Sequence, residues 1–297
     1  METTAALTRS HKHTLRDVIA LTKPRITLLV LITAAGGAWL ADVQHDPLRT
    51  ALLLSMITIL VGGANALNCY LERDSDRLME RTASRPLPAG RLAPQWGLIV
   101  GLVLGLGAVL ALGLGINMLT GALGAIALFS YVVVYTPMKQ TSPTALLVGA
   151  VPGAMPPLMG WTGATGSLDA PGLVLFGILF LWQIPHFLAI SVFRQEEYER
   201  AGLKVLPSVK GIGASKAQAV FYAALLLPMT SLLFALKVMG PIYLVGSTLL
   251  GLYFLGSSLR GIRKDEPKIW ARRLFVASLL YLTLLFVVLG LDAFIMG

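Results

Sequence analysis

Two series of polar side chains repeat every four residues in the stretch NCYLERDSDRLMERTASRPL, residues 68 to 87. The first series is Asn68, Glu72, Asp76 and Glu80, and the second is Arg73, Arg77 and Arg81. On one continuous helix each series would form a stripe, and like charges stacked in this way repel one another. A solvated surface with salt bridges normally alternates in sign at this spacing. The pattern therefore favours a bound cation on the acidic stripe and a bound anion on the basic one.

The residue types indicate which ions would bind. Carboxylates and an amide oxygen suit Mg²⁺, which takes one or two carboxylates and completes its shell with water and substrate phosphates. Arginines suit phosphate oxygens, because the guanidinium offers paired N–H donors. The stretch therefore predicts a site for a hard metal ion and a diphosphate.

The rest of the chain predicts a membrane protein around that site. The 297 residues are 56% hydrophobic and only 13% charged, and a mean hydropathy of +0.74 excludes a soluble domain. Apolar stretches of about 20 residues, the length that crosses ~30 Å of hydrocarbon, recur along the chain. We predict an all-α bundle of nine transmembrane helices in a single domain, residues 1–297. The predicted spans are 26–44, 49–70, 96–114, 116–135, 144–161, 171–192, 217–236, 240–259 and 273–295.

Charge placement orients this predicted bundle. Every Lys and Arg except Arg49 and Lys237 falls near the N-terminus or in the loops after the second, fourth, sixth and eighth spans. The positive-inside rule makes these segments cytoplasmic, and an odd number of spans places the C-terminus outside. Residues 1–23 lack a signal-peptide core, so we expect them to form a cytoplasmic tail. Basic residues dispersed among loops do not indicate nucleic-acid binding.

A second polar stretch is predicted to face the first. In FLWQIPHFLAISVFRQEEYERAGLKVLPSVKG, residues 180 to 211, Pro185 and His186 interrupt an apolar span. A polar side chain inside a span marks a candidate functional site, but His186 is equally explained by a hydrogen bond to a neighbouring helix beside a kink. Arg194 and Glu197 then pair a base with an acid at the same membrane depth as the first stretch.

Three further features have a structural explanation at least as strong as a functional one. Tyr135 and Lys139 end the fourth span, where they either anchor the helix at the interface or contact the diphosphate. Glycine runs such as GLVLGLGAVLALGLG suit close packing of membrane helices, and no strand precedes them as a dinucleotide loop requires. The single cysteine, Cys69, excludes an intrachain disulfide and is interpreted as a packing residue.

A diphosphate site that opens into lipid points to isoprenoid chemistry. Loss of diphosphate from an isoprenoid leaves an allylic cation. The metal and the arginines would stabilise the departing negative charge, and a dry apolar chamber would protect the cation from water. The apolar spans would hold the prenyl chain.

These residues resemble a known family. Asn68, Glu72 and Asp76 match the N-x-x-x-D/E-x-x-x-D form of the first aspartate-rich motif of the UbiA superfamily of intramembrane prenyltransferases, and MERT and RPLP follow it. WQIPHF, YERAGLKVLPSVKG and KIWARRLF are similar to later blocks of the branch that prenylates haem, so the resemblance covers nearly the whole chain. Glu72 stands where many bacterial members have aspartate, and it keeps the charge.

One departure from the superfamily pattern points toward haem rather than a phenol. Other members usually carry a second D-x-x-x-D motif where this chain has His186, Arg194 and Glu197. The resemblance then implies that farnesyl diphosphate and protohaem IX give haem O and diphosphate. The prenyl carbon would join a haem vinyl group, and water would supply the new hydroxyl. Mg²⁺ would be the cofactor, and haem a substrate rather than a permanent cofactor.

The resemblance also implies roles for individual residues. The implied metal ligands are Asn68, Glu72 and Asp76, with Asp74 as a weaker candidate because it lies off their face. Glu197 joins them as a catalytic residue. The implied substrate-binding residues are Arg73, Arg77, Tyr135, Lys139, Arg194, Tyr198 and His186, the last as an axial ligand or propionate partner of haem.

Other functions remain open at this point. A UbiA relative acting on a hydroxybenzoate or quinone precursor would share the metal site and need no haem. A transporter would place its ionisable groups deep in the bundle, whereas here nearly all are predicted at one mouth. A haem chaperone or oxidase assembly factor would not need Glu72 or Asp76. The sequence favours an enzyme of the bacterial inner membrane, embedded in lipid with its site facing the cytoplasm. It leaves open whether a haem A synthase or an oxidase assembly partner docks.

Overall fold

The computed structural model describes residues 15–41, 43, 46–263 and 266–296, and every regular element in that part of the chain is a helix. The all-α class predicted from the sequence is therefore confirmed. The short helices are α1 (Leu15–Leu21), α4 (Arg73–Asp76), α5 (Glu80–Ala83), α8 (Thr136–Met138) and α11 (Gln195–Arg200). The long helices are α2 (Pro24–Trp39), α3 (Pro47–Leu71), α6 (Pro94–Gly115), α7 (Met118–Phe129), α9 (Ala145–Thr165), α10 (Ala170–Phe193), α12 (Leu206–Ala235), α13 (Pro241–Arg263) and α14 (Pro267–Met296). A π-helical segment, Ser130–Tyr135, joins α7 to α8.

Seven of the described helical segments are long and apolar enough to cross a membrane. They are α3, α6, the continuous segment from α7 to α8, α10, α12, α13 and α14. α1 and α2 would add an eighth span, broken by a bend of 48°. α9 is outside this set; it contains three prolines, and most of its second half is buried. The chain therefore has the helices of a multi-pass membrane protein, while the count of nine spans and the orientation of the termini remain predictions.

The polar stretch after α3 is not one continuous helix, contrary to the sequence prediction. The backbone leaves helical geometry at Glu72 (φ −92°, ψ 5°) and is extended at Met79 (φ −112°, ψ 124°). The Thr82 hydroxyl donates to the Asp76 carbonyl oxygen at 2.8 Å, the acceptor that the Glu80 N–H would use in a continuous helix. Glu80 therefore begins the separate helix α5 and does not extend the acidic stripe.

Two other elements differ in extent from their predictions. α12 begins earlier than the predicted span 217–236 and bends at Gly211, whose φ of 82° favours glycine. Residues 15–21 of the predicted tail form α1, which is held to the bundle by a 3.1 Å ion pair between Asp17 and Arg91. The first 14 residues of that tail lie outside the described residues.

The two larger apolar cores of the described residues build the bundle, and α9 contributes to both. One core lies among α2, α3, α6, α7 and α9, and the other among α9, α10, α12, α13 and α14. The backbones of α2 and α9 are in contact where the helices cross, at Gly37 and Gly160. A Cβ atom on Gly37 would overlap the Pro157 carbonyl oxygen, and one on Gly160 would overlap the Ala34 carbonyl oxygen, so the contact requires glycine at both positions. This close crossing connects the two halves of the molecule.

Candidate active site

Three polar side chains of the first stretch share one face at the end of α3; we call Asn68, Glu72 and Asp76 the acidic face. The Glu72 N–H donates to the Asn68 carbonyl oxygen at 2.9 Å, and the Asp76 N–H donates to that of Glu72 at 2.8 Å. The four-residue relation therefore survives the distortion at Glu72. Asn68 and Asp76 are each 1% exposed, so their polar groups need partners inside the protein.

The acidic face receives three basic side chains from separate parts of the chain. Lys139 Nζ lies 2.7 Å from Glu72 Oε1, and Arg85 Nη1 lies 2.7 Å from Asp76 Oδ2. Lys23 Nζ donates to the amide oxygen of the acidic face at 2.7 Å. The repulsion that the sequence pattern implied is therefore relieved inside the protein by neighbouring cations.

Two of these basic side chains, Lys23 and Arg85, were missed by the sequence analysis. Lys23 lies between α1 and α2 with a left-handed backbone (φ 51°), immediately before the proline that starts α2. Arg85 follows α5 and begins the RPLP segment. The sequence did contain a signal for each residue: Lys23 precedes a proline that starts a helix, and Arg85 belongs to the RPLP motif. Only the folded chain shows that both side chains reach the acidic face.

Charge pairing has a larger effect than burial on the pKa of Glu72. Burial by itself would raise the pKa of this carboxyl, but the nearby Lys139 ammonium and its hydrogen bond hold the pKa below its usual value. Burial acts in the opposite direction on Lys139, where Tyr135 and Glu72 nevertheless raise the pKa above its usual value. Both partners are therefore charged at neutral pH.

Two arginines of the predicted basic stripe, Arg73 and Arg77, have hydrogen-bond and ion-pair partners outside the acidic face. Arg73 donates to the Tyr70 carbonyl oxygen at 2.8 Å, and Arg77 donates to that of Pro88 at 3.2 Å. Each guanidinium also lies 3.6 Å from the Asp74 carboxylate, whose side chain is 67% exposed. The structure therefore groups Asp74 with these arginines and not with the acidic face. Their predicted metal and diphosphate roles remain predictions.

The polar loop after α10 meets the loop after α3. Arg194 Nη1 lies 2.7 Å from Glu197 Oε2, and the backbone N–H of Arg81 donates to Glu197 Oε1 at 3.5 Å. Burial would raise the pKa of Glu197, but the bonds from Arg194 and Arg81 hold it below its usual value. Glu197 therefore joins α11 to α5 as a carboxylate. Its catalytic role remains a prediction.

Aromatic and backbone groups fix the position of Lys139. Its Nζ lies 4.4 Å from the centroid of the Tyr135 ring, a cation–π contact. Its carbonyl oxygen accepts the Lys204 N–H at 2.9 Å, which ties the loop after α8 to the loop after α11. Half-buried Tyr198 keeps its hydroxyl proton, because burial raises its pKa. Lys139 is thus part of the polar cluster and is not merely an interfacial anchor.

His186 lies at the contact between α10 and α14. Its Nδ1 is 2.7 Å from Ser278 Oγ, and its ring stacks on Trp182 with a centroid distance of 4.9 Å. The structure therefore contains the helix–helix hydrogen bond that was one of two interpretations of this residue. Its role toward haem remains a prediction.

The acidic face fits a metal that binds together with a phosphate group. Among the described residues, no group of three or more His, Cys, Asp and Glu side chains is arranged to hold a metal ion. Two carboxylates and one amide oxygen on successive turns would leave several positions for water and phosphate oxygens, which is how Mg²⁺ usually binds. Lys139 and Arg85 would then lie beside the phosphate charge.

A helical membrane bundle with an acidic face at the end of a helix agrees with the class of membrane-embedded prenyltransferases. The model of the UbiA prenyltransferase family matches residues 30–285, and the chain belongs to that family.

Individual known proteins agree with this assignment. The chain is 51% identical over 276 residues to the protoheme IX farnesyltransferase of Myxococcus xanthus (strain DK1622), a match that covers 93% of this chain and 94% of that protein. A structure described as that of a digeranylgeranylglyceryl phosphate synthase matches with a TM-score of 0.79 at 18% identity, over 94% of this chain and 98% of that one. A UbiA homologue from Archaeoglobus fulgidus, bound to GPP and Mg²⁺, matches with a TM-score of 0.61 at 16% identity, over 92% and 99%. The two structures show a shared fold.

Proposed function

We propose that this chain transfers the farnesyl group of farnesyl diphosphate to a vinyl group of protohaem IX and releases diphosphate, giving haem O. The choice of substrates is supported by 51% identity, over nearly the full length, to a protein named protoheme IX farnesyltransferase. The reaction class is supported by one observation above all. The half-buried Glu72 and the buried Asp76, which follow the end of a membrane helix, are each paired with a cation at 2.7 Å.

Departure of diphosphate is the step that this cluster would promote. Mg²⁺ held by Glu72 and Asp76, with Asn68, would supply positive charge that stabilises the leaving group. Lys139 and Arg85 lie beside those carboxylates, so they are within reach of phosphate oxygens bound at the same place. The bond between C1 of the farnesyl group and the diphosphate oxygen breaks, and both electrons leave with the diphosphate.

The allylic cation is then consumed by the acceptor. The outer vinyl carbon of haem supplies the electron pair for the new carbon–carbon bond. Water adds to the positively charged inner vinyl carbon to form a carbon–oxygen bond, and it releases one proton to solvent, which leaves the hydroxyl group. Apolar helices that exclude other water favour this order over hydrolysis of the cation.

The second polar loop would form the facing wall of the site. We assign Arg194 and Tyr198 to substrate contact and Glu197 to holding this wall against α5. The Arg81–Glu197 contact between the two loops supports that arrangement. The predominance of Lys and Arg in these loops supports a bacterial inner-membrane enzyme with its site on the cytoplasmic side.

Product analysis tests the proposed function. Purified protein is incubated with farnesyl diphosphate, Mg²⁺ and equal amounts of protohaem IX and 4-hydroxybenzoate, and the products are separated and identified by mass spectrometry. We expect farnesylated, hydrated haem and no farnesylated benzoate. Prenylated benzoate with unchanged haem would replace this proposal by the phenol alternative.

A further inference from the structure

His186 is held in a cage of aromatic rings between α10 and α14. Its ring lies 4.9 Å from the ring centroid of Trp182, with an angle of 24° between planes, and 4.9 Å from that of Phe275, with an angle of 32°. The Trp182 indole N–H donates to the Ser278 carbonyl oxygen at 2.8 Å, which fixes the two helices in register here. The imidazole therefore has one well-defined orientation.

The hydrogen bonds of Ser278 determine which imidazole nitrogen carries the proton. Ser278 Oγ lies 2.6 Å from the Phe275 carbonyl oxygen and 2.7 Å from His186 Nδ1. A carbonyl oxygen only accepts, so the single hydroxyl proton of Ser278 is donated to Phe275. The bond to His186 then needs a proton from the imidazole, and Nδ1 is the nitrogen that supplies it. The opposite assignment would leave two oxygen atoms 2.6 Å apart with no proton between them.

The other imidazole nitrogen is consequently left with a free lone pair. Within the described residues, Nε2 of His186 has no hydrogen-bond partner, and it is not among the fully buried unpaired atoms. An unprotonated imidazole nitrogen whose partner nitrogen donates a hydrogen bond is the form that binds metal ions, including haem iron.

We propose that Ser278 is a positioning residue that holds His186 in the Nδ1–H tautomer and so presents Nε2 to the iron of the haem acceptor. This inference rests on the proposed function for the identity of the acceptor. The tautomer itself follows from the Ser278 contacts alone.

The tautomer is measured by ¹⁵N NMR on the full-length protein labelled at histidine and reconstituted in lipid. The chain has four histidines, so subtraction of the His186→Gln spectrum assigns the signal. We expect Nδ1 protonated and Nε2 unprotonated in the wild type, and loss of this single tautomer in Ser278→Ala. A protonated Nε2 in the wild type, or a Ser278→Ala spectrum like that of the wild type, would overturn the inference whether or not haem binds.

Haem titration followed by the Soret band tests whether Nε2 of His186 binds the haem iron. We expect His186→Ala to lose the histidine-bound spectrum and Ser278→Ala to bind haem about tenfold more weakly, with recovery in Ser278→Thr. Ser258→Ala is a matched control. Ser258 is also fully buried, and its hydroxyl donates to the Phe254 carbonyl oxygen of the same helix at 3.1 Å. Its own carbonyl oxygen accepts the Trp270 indole N–H at 3.1 Å, and its hydroxyl has no hydrogen bond to His186 among the described residues. Identical spectra of wild type and His186→Ala would overturn the haem-ligand role, and absence of haem product from the wild type would overturn the proposed function separately.

Discussion

At the level of single side chains, the main feature is a set of carboxylates that already have cationic partners. Glu72 and Asp76 are each paired at 2.7 Å, with Lys139 and Arg85. Such pairs contribute little net stability while both members are present, because desolvation offsets their attraction, but the loss of one member leaves a poorly solvated charge. Under the proposed function, a divalent metal bound by the carboxylates would free the cations to bind phosphate. The same groups would thus stabilise the protein and bind its substrate.

Replacement of Lys139 tests this exchange. We expect Lys139→Gln to bind a non-reacting thiolo analogue of farnesyl diphosphate about 10 to 100 times more weakly, because hydrogen bonds to charged groups contribute about 1.5–3 kcal/mol. The measurement is calorimetric titration in the presence of Mg²⁺, with thermal unfolding as a check on folding. Wild-type affinity in a folded Lys139→Gln protein would contradict the role given to this cation.

Arg77 provides the comparison. The sequence assigned it to the diphosphate, but its guanidinium lies beside Asp74 and its side chain is 57% exposed. We expect Arg77→Gln to weaken binding of the same analogue less than Lys139→Gln does. An equal or larger loss of affinity in Arg77→Gln would support the original prediction that Arg77 binds the diphosphate.

At the level of elements, the site depends on where α3 stops. The sequence predicted the spacing of Asn68, Glu72 and Asp76 correctly, because four-residue backbone bonds persist through Asp76. It did not predict the break before Glu80. That break depends on local side-chain bonds and on packing against the loop after α10, neither of which is visible in hydrophobic periodicity. Its consequence is α5, whose backbone meets Glu197.

A pH-dependent stability is expected from the contact between α5 and α11. Because the folded-state pKa of Glu197 is below its usual value, its ionisation stabilises the fold above about pH 4.3, and this contribution disappears as the pH falls through the folded-state pKa. We expect Glu197→Gln to lower the Tm by about 2–4 °C near pH 7. The difference from wild type should close at more acidic pH.

Exposed Glu196 is the matched control, because it carries the same charge one residue earlier and pairs with Lys268 at the surface. Glu196→Gln is expected to change the Tm much less. A Tm difference for Glu197→Gln that stays constant down to pH 3 would contradict an ionised Glu197 in the fold.

For the whole molecule, the sequence predicted an all-α membrane protein. The described part of the chain confirms the all-α class and contains seven helical segments long and apolar enough to cross a membrane. Which distant residues meet was beyond sequence reasoning. Lys23 and Lys139 reach the acidic face from other parts of the chain, because α2 and the segment from α7 to α8 bring them there. Charge spacing within one segment carries no information about such contacts.

The predicted orientation can be tested with single cysteines. In a Cys69→Ser background, Thr141→Cys and Ser167→Cys place exposed thiols in the loops on either side of α9. We expect a membrane-impermeant thiol reagent to label Thr141→Cys only in inside-out vesicles and Ser167→Cys only in right-side-out vesicles. Labelling of both from one side would mean that α9 does not cross the membrane.

The most direct test of a metal-dependent farnesyl transfer at the acidic face compares Asp76→Asn with Glu80→Gln. Both variants remove one negative charge from the same four-residue series, but Asp76 lies on the acidic face whereas Glu80 is exposed on α5. The measurement is the initial rate of haem farnesylation at increasing Mg²⁺ concentration. We predict that Asp76→Asn loses about 100-fold or more in rate and that Glu80→Gln retains wild-type rate and metal dependence. Equal rates for a folded Asp76→Asn and the wild type would contradict the assignment of the acidic face to the reaction.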